Sequence, residues 1–550
     1  MKNIYKLLIA GAVLSTAAAC SENYLELAPE SSVTKGMLFQ SPVEAQYVVN
    51  GLGRIMSTQY LETQGYNGEG TVYAYNGEYP GDCLEFGNKT GWQNIVKQNY
   101  NSSSNTNVQF GWYYYYKLIG NANQVICNVQ EGAGSEANQW KHVKAQALTY
   151  RAYAYTMLSQ LFSRRWSDMG ANGLQRGVIL RLDESNDAMP CSTMGEVFAQ
   201  IYADLDEAIT LFSECGISRS NDANKRWQAN INVAHAVYTR AALIREDWNT
   251  VIAHASQARS GYPIMGITDY MAGFNTATKE WIWEVFEDET QPMHYYSFYN
   301  YASASCLGSN SRTYPPIISK QIIDAVDPAD ERMAIYAIPT AEELPESKAI
   351  KLKTAGNVSS GAFYDRVKKD FKNRIYSTTT IFYYLATKFI VKSGTGDGCI
   401  PIFRAAEMYY AEAEAQYHLG NESAARTALE ATVKPYNSAY TCTKSGADLF
   451  NEIKAYRKFD LANEGHSWFD LKRWGDPMVR KTWAEGGNWR PEFAGVDEDG
   501  TDKAGNYGPE AKNRWTPILP NSEANYNQLI TKFESINPDG TWNRVITAEE

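Results

Sequence analysis

Residues Glu464–Trp474 read EGHSWFDLKRW. On a helix of 3.6 residues per turn, Trp468, Leu471 and Trp474 fall near one face. Glu464, Asp470, Lys472 and Arg473 then offer charge to neighbouring helices. Two indoles and a leucine on one stripe must be buried, so the segment reads as a packing motif in an α-helical protein and not as a ligand site.

Upstream, Phe403–Val433 (FRAAEMYYAEAEAQYHLGNESAARTALEATV) reads as two helices joined at Gly420-Asn421, with Ala413, Ala425 and Leu429 at the contact. Ile231–Arg259 has the same form: Arg245-Glu246-Asp247 makes the turn, and Trp248, Val251, Ala255 and Ala258 run along the second helix. Small residues at the crossings let paired helices approach and stack, which is tetratricopeptide-like, with the consensus met in part. Three more helices are predicted. They are Phe110–Val129, with Trp112, Tyr116, Ile119, Asn123 and Ile126 on one stripe; Gln139–Phe162; and Gly195–Phe212 with Ser192-Thr193 as its cap. Lys279–Phe286 (KEWIWEVF) alternates like a strand. Long irregular insertions are expected over Tyr60–Ser104, Ser163–Pro190, Tyr295–Tyr301 and Gly486–Asn513. The expected fold is therefore mostly α: a tetratricopeptide-like helical-repeat scaffold with long loop insertions and a few short strands.

The N-terminus carries a different instruction. Lys2 and Lys6 precede the apolar run Leu7–Leu14, then small residues 15–19, then Cys20. This reads as a signal peptide over 1–19 that hands Cys20 to lipidation, with ordinary cleavage after Ala17-Ala18-Ala19 as the other reading. Each buried acyl methylene contributes about 0.8 kcal/mol, so two or three chains hold a soluble body at a membrane. Residues 20–30 form the expected linker.

The 550 residues carry a net charge of −11, 44% hydrophobic and 21% charged residues, which is globular and argues against nucleic acid as a partner. Seven cysteines follow Cys20 without a CxxC pair, which suits free thiols and offers no zinc framework. There are 38 Tyr and 14 Trp but only 19 Phe. Rings with a polar handle suit half-wet surfaces, which is what sugars require: C–H faces to stack on and hydroxyls to hydrogen-bond.

The stretch 464–474 resembles the EG-x-RWFDLKRWG signature of the SusD/RagB outer-membrane lipoproteins. Arg457 stands where that family carries the Arg of an upstream ER pair. Ile402–Ala413 (IFRAAEMYYAEA) resembles the family's R-x-AEMYLIYAEA helix, and Pro517-Ile518-Leu519-Pro520 with Asn525 its closing segment. Tyr456 departs from the usual Glu, and His466-Ser467 from the usual Arg, which is expected to weaken one salt bridge. The resemblance implies a SusD-like N-terminal region over 31–225, tetratricopeptide-like helices over 226–275 and a C-terminal region over 276–550, in one fold. It implies a surface-exposed, lipid-anchored outer-membrane protein that captures nutrient, mostly glycans, and passes it to a TonB-dependent (SusC-like) transporter that it caps. A peptide-binding lid, or a lid with little ligand binding of its own, is the alternative.

No short motif marks the binding site, so candidates come from aromatic loops. One holds Tyr75, Tyr79, Asp82, Trp92 and Asn94; the other holds His294, Tyr295, Tyr296, Tyr299 and Tyr301. Rings would stack on sugar while Asp82 and Asn94 hydrogen-bond hydroxyls. Trp483 and Trp489 are further candidates. No HExxH, GxSxG, GxxxxGK[ST] or GxGxxG occurs, so no enzyme is expected. No cofactor is expected either; Asp497-Glu498-Asp499-Gly500 with Asp502 could hold calcium but lacks the full loop spacing.

Overall fold

The computed structural model describes residues 35–57, 66–85, 93–96, 104–169, 173, 175–219, 225–287, 298–308, 312–344, 357–392, 396–494, 516–517 and 519–530. Cys20, the linker and the run 497–502 lie outside these residues.

Ten helices carry the frame: α1 (Pro42–Ile55), α2 (Thr106–Asn128), α3 (Gly134–Phe162), α4 (Met194–Cys215), α5 (Ile231–Ile244), α6 (Trp248–Ala258), α7 (Ala405–His418), α8 (Glu422–Val433), α9 (Gly446–Leu461) and α10 (Ser467–Trp474). α3 packs against α1, α2, α4 and α5, so its residues from Ala145 to Ser159 are buried on every side. That explains a helix with no clear polar face over its second half. α4 starts where predicted: the Thr193 side chain accepts from Glu196 N at 3.1 Å, and Glu196 Oε2 accepts from Thr193 N at 2.8 Å. On α2 the predicted stripe includes Asn123, a polar residue with no exposure. It accepts from Arg151 Nη1 at 2.9 Å and donates to the carbonyls of Arg181 and Asp183, and Arg151 in turn pairs with Asp204 at 2.6 Å.

Both predicted helix hairpins form. Between α5 and α6, Glu246 takes φ +60° and Asp247 caps Thr250. Between α7 and α8, Gly420 takes φ +79°. α6 packs on α7, which stacks the two hairpins. Ala413, Ala425 and Leu429 are all buried at the contact.

The strands are short: β1 (Leu84–Glu85), β2 (Trp281–Val285), β3 (Ile317–Ile318), β4 (Tyr336–Ala337), β5 (Asn357–Val358), β6 (Ile381–Phe382), β7 (Leu385–Ala386) and β8 (Ile400–Arg404). β1-β3-β7-β4 form an antiparallel sheet, β5 pairs with β6, and β2 pairs antiparallel with β8. The alternation in KEWIWEVF predicted a strand, and β2 forms there. All of β2 is buried, together with Glu280 before it. The reason is Arg404 at the end of β8, which pairs with Glu280 at 2.9 Å, Glu464 at 2.8 Å and Asp460 at 2.7 Å. Burial alone would push the Asp460 carboxyl up, but Arg404, Arg332 and Lys388 hold it well below the usual carboxylate range.

The signature around α10 packs as its sequence predicts. Trp468 and Leu471 are buried, while Trp474 is half-buried and donates to Glu414. Arg473 bridges Glu414 and Asp470, and Arg457 reaches Asp470 at 2.7 Å. The departures from the family pattern find other work. The Tyr456 hydroxyl accepts from Asp327 N at 3.2 Å, and Ser467 Oγ accepts from the backbone N–H groups of Asp82 and Cys83.

Candidate functional site

The sequence left Tyr60–Ser104 as an irregular insertion. Within it, Gly68–Val72 is an α-turn that runs into a π-helix at Tyr73–Glu78. Wide π turns recur at functional sites. Three things hold this one. The Glu69 carboxylate accepts from the hydroxyls of Tyr114 (2.9 Å), Tyr115 (2.8 Å) and Tyr153 (2.6 Å). Glu78 accepts from the backbone of Gly465 at 2.8 Å and His466 at 3.2 Å, and burial pushes its carboxyl up to about 8. Arg480 donates to the carbonyls of Tyr79 (3.0 Å) and Gly81 (2.9 Å), and also to those of Val96 and Phe493. The signature turn at Gly465 therefore forms the bed of the π-helix.

On this bed sits a tyrosine shelf. The Tyr75 ring lies 5.6 Å from Tyr66, 5.6 Å from Tyr79 and 5.5 Å from Tyr301, and its hydroxyl meets that of Tyr301 at 2.9 Å. The two predicted aromatic segments thus meet: Tyr75 and Tyr79 come from one, Tyr301 from the other. Tyr299, two residues before Tyr301, is fully buried, donating to the carbonyls of Phe274 and Cys399 and packing on Phe389. It lies in a short helix, Phe298–Ala302, where the sequence suggested a loop.

An open cradle was expected, but Tyr75 (1% exposed) and Tyr79 (3%) are turned inward, and Asp82 pairs with Lys458 at 3.0 Å. Trp489 is buried, with its indole N–H donating to Ser319, and Trp483 packs against Tyr383 and Tyr384. Trp92, His294, Tyr295, Tyr296 and the side chain of Asn94 lie outside the described residues.

Sequence reading missed two polar clefts. One, of about 470 Å³, runs beside α2 between Lys117, Asn121, Gln124, Arg181, Glu184 and Glu523. The other, of about 330 Å³, lies at the end of the α4–α5–α6 bundle and contains Arg219, Arg226, Asn230, Asn232 and Tyr262. The polar run ISRSNDANKRWQANIN over residues 217–232 was the available signal, but it has no periodicity to read. Among the described residues no group of three or more His, Cys, Asp or Glu could hold a metal ion, and no helix is long and apolar enough to cross a membrane.

Comparison with known proteins follows the same lines. Residues 250–538 match the SusD family, and residues 23–235 match a family described as starch-binding and associating with the outer membrane. No curated protein matches the sequence significantly. The fold is similar to that of a SusD-like carbohydrate binding protein from Bacteroides vulgatus, with TM-score 0.71 and 19% identity over 93% of this chain and 100% of that one. SusD superfamily proteins from Bacteroides thetaiotaomicron (TM-score 0.66, 19% identity, 89% of this chain and 99% of that one) and Bacteroides fragilis (0.66, 19%, 90% and 99%) are similar too. The first match alone spans more than half of the 550 residues, and so the chain belongs to the SusD family.

Proposed function

We propose that this protein is a lipid-anchored, cell-surface receptor that captures an oligo- or polysaccharide and hands it to a TonB-dependent transporter of the outer membrane. The observation that carries the reading is the tyrosine shelf of Tyr66, Tyr75, Tyr79 and Tyr301, seated on the family's signature turn. Two aromatic segments adjoin its neighbourhood in sequence: 86–92 follows Glu85 of β1, and 288–297 precedes Phe298. In this reading Trp92, Asn94, Tyr295 and Tyr296 touch the sugar. Tyr75, Tyr79, Tyr299 and Asp82 hold the buried floor of the site. Planar rings without net charge favour C–H faces over ionic groups, which supports a glycan over a charged peptide. Lipid on Cys20 would keep a swinging lid attached. The family description, starch-binding and associated with the outer membrane, supports the same reading.

The test is an affinity-gel screen of the full chain in detergent against neutral polysaccharides. Retardation by one polysaccharide class is the expected result. A folded protein retarded by none, but retained by immobilised peptide, would replace the glycan reading with peptide capture.

A further inference from the structure

The cleft at the end of the α4–α5–α6 bundle lies among different elements from the tyrosine shelf, and its chemistry is different. Arg219 is held rigidly. Its Nη1 donates to the carbonyl of Gln228 at 2.7 Å, and its Nη2 to the Tyr262 hydroxyl at 2.5 Å and the Ile282 carbonyl at 2.9 Å. The Arg226 guanidinium stacks over the Tyr262 ring at 4.8 Å. Its Nε is buried and has no hydrogen-bond partner among the described residues. None of the bonds made by these two arginines goes to a carboxylate among the described residues. That contrasts with the guanidiniums of Arg151, Arg240, Arg332, Arg404, Arg457 and Arg473, each paired with Asp or Glu. Glu284, whose field reaches both arginines, is buried beside Cys399, and burial pushes its carboxyl up to about 8, which favours its neutral form near pH 7. Two guanidiniums therefore face one opening of about 330 Å³, in a chain of net charge −11. The asparagines there are already engaged: Asn230 caps Val233, and Asn232 donates to the Gln257 carbonyl. Among the described residues the cleft thus offers cations without an anion, while Ile217 and Ile231 line part of the remaining wall.

We propose that this cleft binds the carboxylate of a uronic acid unit, the Arg226 fork taking the carboxylate while the pyranose body fills the rest of the opening. The sugar half of this assignment rests on the proposed glycan function; the anion half rests on the cleft itself. It makes the protein a receptor with two sites, a neutral aromatic one and an acidic-sugar one.

Saturation-transfer NMR of the full chain with glucuronic acid, glucose and acetate is the test. Glucuronic acid is expected to give transfer that falls as salt rises, while glucose and acetate give little. Arg226→Gln should weaken glucuronic acid by about tenfold or more, and Arg226→Lys by less, because Lys keeps charge but not the fork. Both variants should keep the native circular dichroism spectrum and any binding of neutral polysaccharide. Absent glucuronic acid transfer, or transfer unchanged in a folded Arg226→Gln protein, overturns the proposal and leaves the glycan reading standing. Acetate binding as well as glucuronic acid overturns the sugar assignment.

Discussion

Gly77 and Gly465 meet backbone to backbone: a β-carbon on Gly77 would overlap the Gly465 carbonyl, and one on Gly465 would lie 2.6 Å from Tyr73 Cγ. Gly465 also takes φ +81°, where a side chain is strained. The π-helix that holds the tyrosine shelf is thereby pressed onto the turn before α10. Gly77→Ala must push the two apart. The expected cost is about 1–3 kcal/mol, read as a lower urea midpoint, with glycan binding weakened in parallel. Gly266→Ala, at a glycine with open space around it and φ −77°, controls for general glycine effects.

Glu78 makes the same contact sensitive to pH. Its carboxyl is raised from 4.5 to about 8 by burial. Between those values the unfolded chain has lost the proton that the folded chain keeps. The group's contribution to stability therefore falls as pH rises through this window and is level on either side of it. Glu284, raised by burial to about 8, adds a slope of the same sign. Glu78→Gln should flatten part of the decline, so that the variant gains thermal midpoint relative to the parent as pH rises from about 5 to 9. Parallel curves for the two proteins would show that Glu78 is ionised in the fold.

Arg404 holds together three elements: β8, the end of α9 and the signature turn. Replacing it with Met leaves Glu280, Asp460 and Glu464 buried without their main counter-charge. A loss of about 3–5 kcal/mol is expected, seen as a large drop in denaturant midpoint or as insoluble expression. Lys434→Met, at an exposed i,i+4 pair with Glu430, should change the midpoint by less than about 0.5 kcal/mol.

Shelf and loop residues should separate experimentally. Tyr75→Phe removes the hydroxyl contact with Tyr301 and should lower stability by about 1 kcal/mol. Trp92→Ala should leave the thermal midpoint in place and reduce glycan binding. The reverse pattern would move the contact surface onto the shelf itself.

The helical frame was legible because its helices repeat their apolar residues at 3.6-residue spacing, and because Thr193-x-x-Glu196 and Gly420 punctuate them. The shelf was legible only as a concentration of tyrosines. What places it is the meeting of Gly77 with Gly465, far apart in sequence, and no local period records such a contact. The same is true of β2. Alternation in KEWIWEVF gave the strand, but Arg404, more than a hundred residues later, decided that Glu280 could be buried. The described cysteines form no disulfide with one another, as their scattered spacing implied, and all but Cys127 are buried. The arginine cleft shows how little net charge says about a local surface, since a chain of −11 still gathers two guanidiniums that pair with no carboxylate among the described residues.

The most direct test of the central claim is calorimetric titration of the full chain with the polysaccharide that retards it, comparing the parent with Trp92→Ala and Tyr296→Ala. The expected result is an affinity loss of about tenfold or more in each variant, from one lost stacking contact and its buried area, at an unchanged thermal midpoint. Full affinity in both folded variants would contradict glycan capture through Trp92 and Tyr296.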